Sequence, residues 1–207
     1  LQLSKGVDYT FAPMPTDAGE HEITVTGTGN YKGEFHFQLT ISSAALGVSI
    51  DGGGETVYNG KDQKPGQEAL TITGAAGTPQ NVQIQYFAAD GTTQVDEFKD
   101  AGNYKLAVSA DSYESVTLDF VVRPKPLTDG MISNPDSVMY NGQAHKPPVD
   151  VSDKPEGTEI LSAADYTVRY GENTTVGEGS VTVTGQRNYT GAVTKTFQID
   201  PLALGTG

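Results

Sequence analysis

Residues 19 to 41, GEHEITVTGTGNYKGEFHFQLTI, align without a gap on residues 177 to 199, GEGSVTVTGQRNYTGAVTKTFQI. Gly19 falls on Gly177, Gly27 on Gly185, Asn30-Tyr31 on Asn188-Tyr189, Gly33 on Gly191 and Ile41 on Ile199. A third copy, residues 102 to 122, lies between them, one residue shorter before Tyr113 and without the glycine after it. Such a repeat constrains the fold more than any local propensity, because each copy must adopt the same supersecondary unit and bury equivalent residues. A second block, Val57-Tyr58-Asn59-Gly60 through Lys64-Pro65, matches Met139-Tyr140-Asn141-Gly142 through Lys146-Pro147. It precedes the middle and last copies of the closing segment.

The residue types within the repeat specify strands. Ile23 and Val25, Leu106 and Val108, and Val181 and Val183 take equivalent alternate positions, with Thr24, Ala107 and Thr182 between them. One buried face and one half-exposed face follow from that period of two. The last strand of each copy alternates likewise, through Phe35, Phe37, Leu39 and Ile41, then Val116, Leu118, Phe120 and Val122, then Val193, Lys195, Phe197 and Ile199. Lys195 is the break in that pattern. Gly27 and Gly185, with the residues after them, are expected to supply positive φ for the connection. The tyrosine that follows, Tyr31, Tyr113 or Tyr189, is expected to cover the strand end. Asn59-Gly60 and Asn141-Gly142 read as hairpin turns. No window carries sustained helical periodicity, and the expectation is an all-β chain.

Composition narrows the function classes. With 36% hydrophobic residues, no Trp and 25 Gly in 207 residues, any core is thin, as in small sandwiches. The net charge of −13 is spread as −3, −5 and −5 over residues 1–46, 47–127 and 128–207. An even negative field disfavours nucleic acid, whose phosphates require clustered Lys and Arg. The absence of cysteine removes disulfides, thiolate metal sites and thiol nucleophiles. No apolar run reaches the roughly 20 residues of a membrane-spanning helix, so no membrane insertion is expected of this segment.

The sequence of signals Tyr-Asn-Gly, Asp-Tyr-Thr-Val, Gly-x-Arg-Asn-Tyr-Thr-Gly and Thr-Phe-x-Ile, clearest in residues 128 to 202, resembles the MBG-type immunoglobulin-like repeats of bacterial surface proteins. The resemblance implies tandem immunoglobulin-like β-sandwich modules: residues 1–46 as the closing half of one module, 47–127 as a second and 128–207 as a third. It also implies an exported protein, extracellular or cell wall-associated, in which such modules serve as stalks or spacers beside other domains of the same large chain. The alternative function is adhesion to a host or matrix glycan or protein. Tyr86 and Phe87, beside a longer loop from Ala88 to Asp100, are the candidate ligand contacts.

Residues capable of chemistry are few and lack the spacings of known sites. His21, His36 and His145 show no metal-ligand spacing, and His36 falls on the outward parity between Phe35 and Phe37. Neither a Gly-x-Ser-x-Gly elbow nor a phosphate-binding glycine loop is present, so no enzymatic activity is expected. No cofactor is expected either. Acid pairs such as Asp96 and Glu97, or Asp150 and Asp153, offer oxygens of the kind calcium takes, without an EF-hand pattern. If calcium bound, the joints near Asp129, Asp136 and Asp200 would be its place. Asn173-Thr174-Thr175 and Asn188-Tyr189-Thr190 match the glycosylation sequon and read as turn residues. Lys195, at an inward position, either lays its aliphatic stem over the sheet edge or is placed for an isopeptide bond to an asparagine, and the first reading is preferred. The first copy lacks the Tyr-Asn-Gly block, so its closing strands are expected to leave an apolar face uncovered.

Overall fold

The computed structural model describes residues 2–153 and 161–205; Leu1, residues 154–160 and residues 206–207, which belong to the expected first and last segments, lie outside the described residues. The first copy forms β1 (Tyr9–Phe11), β2 (Gly19–Gly27) and β3 (Glu34–Ile41). The middle stretch forms β4 (Leu46–Ile50), β5 (Glu55–Val57), β6 (Leu70–Gly74), β7 (Gln83–Ala88), β8 (Gly102–Ser109) and β9 (Val116–Arg123). The last stretch forms β10 (Lys125–Pro126), β11 (Val138–Met139), β12 (Tyr166–Tyr170), β13 (Gly177–Gly185), β14 (Tyr189–Thr190) and β15 (Ala192–Asp200). Two short 3₁₀ turns, Gln67–Ala69 and Asp129–Met131, are the helical elements among the described residues. The fold is all-β, in several small sheets, consistent with a β-sandwich.

The chain divides into two compact units. One comprises Leu1–Gly54, Pro65–Asp96 and Tyr104–Phe120, and the other comprises Glu55–Lys64, Glu97–Asn103 and Val121–Gly207. The middle repeat thus contributes residues to both. In the first unit β1, β2 and β3 form an antiparallel sheet, β4 pairs with β6, and β7 pairs with β8. In the second, β11 runs parallel to β15, which continues through β13 to β12. One hydrophobic cluster of that unit joins Leu127, Met131, Ile132, Val151, Leu161, Val183 and Tyr189, with Tyr58, Tyr166 and Val193 packed against it.

Register carries the repeat into three dimensions. Tyr9 opposes Gly27 and Phe11 opposes Val25, as Tyr166 opposes Gly185 and Val168 opposes Val183. The first copy therefore also contains an Asp-Tyr-Thr segment, Asp8-Tyr9-Thr10, equivalent in register to Asp165-Tyr166-Thr167 of the last copy. Thr56 opposes Val122 in the parallel pair β5–β9, and Val138 opposes Ile199 in β11–β15. The expected alternation holds in β8 and β13, where Leu106, Val108, Val181 and Val183 have no solvent exposure, but not in β3, where Phe35 and Phe37 are exposed.

Two expected turns differ. The Asn-Gly pairs do not close hairpins, because the strands before them, β5 and β11, run parallel to their partners, and parallel neighbours cannot be joined by a tight turn. Each asparagine instead caps its own turn: Asn59 Oδ1 accepts from the Lys61 N–H at 2.9 Å and Asn141 Oδ1 from the Gln143 N–H at 2.8 Å, with Gly60 and Gly142 at φ of 75° and 77°. Gly27 and Gly185 are not the positive-φ residues; Gly29 and Arg187 are, at 62° and 56°. The glycines are required for close approach. A Cβ on Gly27 would lie 2.9 Å from the Lys32 nitrogen, and one on Gly185 would lie 2.8 Å from the Thr190 nitrogen.

The loop from Ala88 to Asp100 is built into the fold. Ala88 and Gly91 close its turn, Val95 donates to the Tyr86 carbonyl at 3.0 Å, and Phe98 at its end is fully buried. The Asp62 carboxylate accepts the Phe98 N–H at 2.8 Å, and Gln63 N–H donates to the Phe98 carbonyl at 3.2 Å. Removing this ring leaves a cavity, and Phe98→Ala is expected to destabilise the chain by about 3 to 5 kcal/mol in urea unfolding. Phe35→Ala, at a side chain 65% exposed, is expected to change stability by less than about 0.5 kcal/mol. Equal effects would contradict this assignment of the core.

Candidate functional site

Tyr86 and Phe87 are neighbours on β7, and successive residues of a strand project to opposite faces. The strand does not bring them together as one aromatic surface. The Tyr86 hydroxyl donates to the Pro65 carbonyl at 2.7 Å, and Tyr170 repeats the bond to the Pro147 carbonyl at 2.7 Å. Tyr86 thus ties the end of the Tyr-Asn-Gly block to its sheet. Phe87 is partly buried, opposite Lys105 on β8 and bridged to Gln94 of the returning loop. Asp90 holds that loop by accepting from the Thr92 N–H, the Thr93 N–H and the Thr93 hydroxyl, at 2.8, 2.8 and 2.6 Å. These bonds, the Thr93 hydroxyl foremost, bring its carboxyl down to about 2.

The most elaborate polar constellation lies where one copy meets the next, at the residue before each conserved-position tyrosine. In the middle copy this is Ser112, with φ of 64°. Its carbonyl accepts the Ala44 N–H at 2.9 Å and its hydroxyl accepts the Ala18 N–H at 3.0 Å. In the last copy it is Asn188, whose carbonyl accepts the Lys125 N–H at 2.8 Å and whose Oδ1 accepts the Ala101 N–H at 2.7 Å. Its Nδ2 also donates to Asp100 at 2.9 Å. Ala18 and Ala101 each stand one residue before the opening glycine of a closing strand, and Ala44 and Lys125 each stand in the joint after it. At each joint a single residue with an acceptor on both main chain and side chain thus receives two strands.

Around Asn188 the aromatic groups lock the joint further. Tyr58 packs edge-on against Tyr189, centroids 5.5 Å apart at 74°, and the Tyr189 hydroxyl donates to Asp153 at 3.0 Å. The other Asp153 oxygen is ion-paired with Lys125. Burial, followed by the hydrogen bond and charge of Asp153, pushes the Tyr189 hydroxyl well above its ordinary value. Burial, then Asp165, Asp100 and Asp153, raises Tyr58, against an opposing hydrogen bond from Asn188. The arrangement of this cluster holds strands together.

His36 is outward, its Nδ1 2.9 Å from the Thr24 hydroxyl, with Glu22 and Glu34 at 3.4 and 3.7 Å from its ring nitrogens. His21 meets the Asp17 carbonyl at 2.8 Å. His145 lies at the position of Gln63, and both leave a buried Nε2 without a partner among the described residues. Asn173 and Asn188 are buried; Asn173 bonds the His145 and Ser180 carbonyls and the Ser180 N–H, so both sequon amides are already engaged. Lys195 is inward and 8% exposed, and its ammonium lies 2.8 Å from Asp129 rather than beside an asparagine. Asp153 is committed to Lys125 and Tyr189. Among the described residues no three His, Cys, Asp or Glu side chains converge as a metal site would require. The described residues contain no helix long and apolar enough to cross a membrane.

The joint residues had no signal in composition; the recurring polar residue before each tyrosine was the legible trace of them. Asn188→Ala strands the Ala101 N–H and removes one hydrogen bond to Asp100, and is expected to cost about 1 to 3 kcal/mol in chemical unfolding. Because the tyrosine hydroxyls are raised from 10.0 in the fold, the neutral forms are favoured there. Their stabilisation is fully present below pH 10 and is lost as the pH rises through the folded values. Tyr189→Phe is expected to flatten the alkaline fall in stability measured from pH about 9 upward. Compared with protein-family models and with the curated proteins, the chain matches none.

Proposed function

We propose that the chain is a non-catalytic stalk or spacer segment of a bacterial cell-surface or secreted protein, extracellular or cell wall-associated, built of tandem immunoglobulin-like β-sandwich modules of the MBG type. The observation that carries this reading is the repetition of one joint. Ser112 and Asn188 receive the same two strands by the same two bonds, and a segment whose role is to transmit position requires defined joints more than a pocket. The proline-bearing connection Arg123-Pro124-Lys125-Pro126 adds stiffness, since proline fixes φ and leaves the unfolded chain fewer states. The even negative charge keeps such a segment soluble and self-repelling. On this reading the partners are other domains of the same large protein.

The adhesive alternative draws on Phe87 and the loop following it, but Tyr86 is supported as a structural tie by its repetition at Tyr170. Residues 88–100 include the buried Phe98, so a loop deletion would disturb the core, and a point variant is the cleaner probe. Screened against glycan and matrix-protein arrays, the chain is expected to bind none. Saturable binding that is lost in Phe87→Ala, with unfolding unchanged, would establish adhesion instead.

A further inference from the structure

Each joint has a giving and a receiving side, and the described residues contain one unmatched example of each. On the giving side the aligned groups are Ala44, Lys125 and Leu202 in the joint strand, Leu46, Leu127 and Leu204 two residues later, and Ala18, Ala101 and Val176 before the closing-strand glycine. Tyr58 and Tyr140 complete the set. Leu46 and Leu127 are each 7% exposed, whereas Leu204 is 96% exposed, Leu202 62%, Val176 49% and Tyr140 37%. On the receiving side, Asn30 stands where Ser112 and Asn188 stand, before Tyr31. Asn30 is exposed, and Tyr31 is 37% exposed where Tyr189 is 6%.

The receiving surface is already shaped. A pocket of about 410 Å³ opens beside Tyr9, Val25, Tyr31 and Phe35. Their counterparts in the last copy are Tyr166, Val183, Tyr189 and Val193, the residues packed in one cluster with Leu127. The pocket is the place that a joint leucine fills in the complete copy. Phe35, 65% exposed, and Phe37, 37% exposed, extend the apolar face toward the free edge of β3, which carries no strand among the described residues.

We infer that two copies of this chain associate head to tail: residues 201–205 of one lie along the Tyr31 loop of the other and place Leu204 in the pocket beside Tyr9, Val25 and Phe35. The Leu202 N–H then donates to the Asn30 carbonyl and the Val176 N–H to the Asn30 side chain, as Lys125 and Ala101 do to Asn188 within the chain. Tyr140 packs against Tyr31 as Tyr58 packs against Tyr189. The contact is strand addition to an open edge and is heterologous, so each copy in a pair keeps one side of a junction for a further copy. It does not depend on the proposed function.

Sedimentation velocity over a wide concentration range tests this, in high salt so that the −13 charge on each copy is screened. The parent chain is expected to show mass rising with concentration. Leu204→Asp removes the giving side and Tyr31→Asp the receiving side, both at exposed positions where the fold is retained, as thermal unfolding of each variant verifies. Each variant alone is expected to associate on the order of tenfold to a hundredfold more weakly, the loss of one buried apolar side chain. Their equimolar mixture restores one intact junction and is expected to give a dimer and nothing larger. A parent that stays monomeric throughout, association unaffected by Leu204→Asp, or a mixture that stays monomeric would each overturn the inference.

Discussion

The strand that leaves one repeat and enters the next carries backbone donors that its own sheet no longer satisfies, and a buried donor without a partner costs about 1 to 3 kcal/mol. In this chain Ser112 and Asn188 meet that demand. Each offers a carbonyl to the joint strand and a side-chain oxygen to the strand start beside it. The tight turn that brings them there contains a residue at positive φ, Ser112 itself or Arg187. Gly185 permits the approach, since its N–H reaches the Gly191 carbonyl at 2.9 Å and a Cβ would strike the Thr190 nitrogen. Turn, tyrosine and joint are therefore one device.

A core as thin as this one depends on such devices. No Trp is present, and the largest fully buried side chain among the described residues is Phe98, which reaches the interior from a loop. Hydroxyl-to-carbonyl ties at Tyr86 and Tyr170, and the Asn173 bridge between residues 145 and 180, fix segments that hydrophobic burial alone would leave loose. Equivalent positions solve the same problem with different chemistry: Gln63 N–H bonds the carbonyl of Phe98, and His145 N–H that of Asn173.

Strand placement was legible because period-two burial is a local property, and Val181 and Val183 follow it without exception. The parallel course of β5 and β11 was not, because Asn-Gly reports a turn and not which strand pairs with the one before it. The role of Gly27 and Gly185 was misread for a related reason: a glycine in sequence does not distinguish a left-handed backbone from a neighbour too close for a Cβ. Phe98 was hidden within a polar loop, and Tyr86 looked available because its partner, the Pro65 carbonyl, is distant along the chain. The Asp8-Tyr9-Thr10 strand escaped comparison because the spacing to the closing segment differs between the copies, whereas register does not.

Ser112 and Asn188 each secure two strands at the joints, and amide hydrogen exchange reads this residue by residue. At low protein concentration the amides of Ala18, Ala44, Ala101 and Lys125 should exchange slowly, with protection approaching that of the β8 and β13 interiors. Val176 and Leu202, aligned with them but without a partner among the described residues, should exchange at the rate of open chain. Rapid exchange at Ala101 and Lys125, matching that of Val176 and Leu202, would contradict the account.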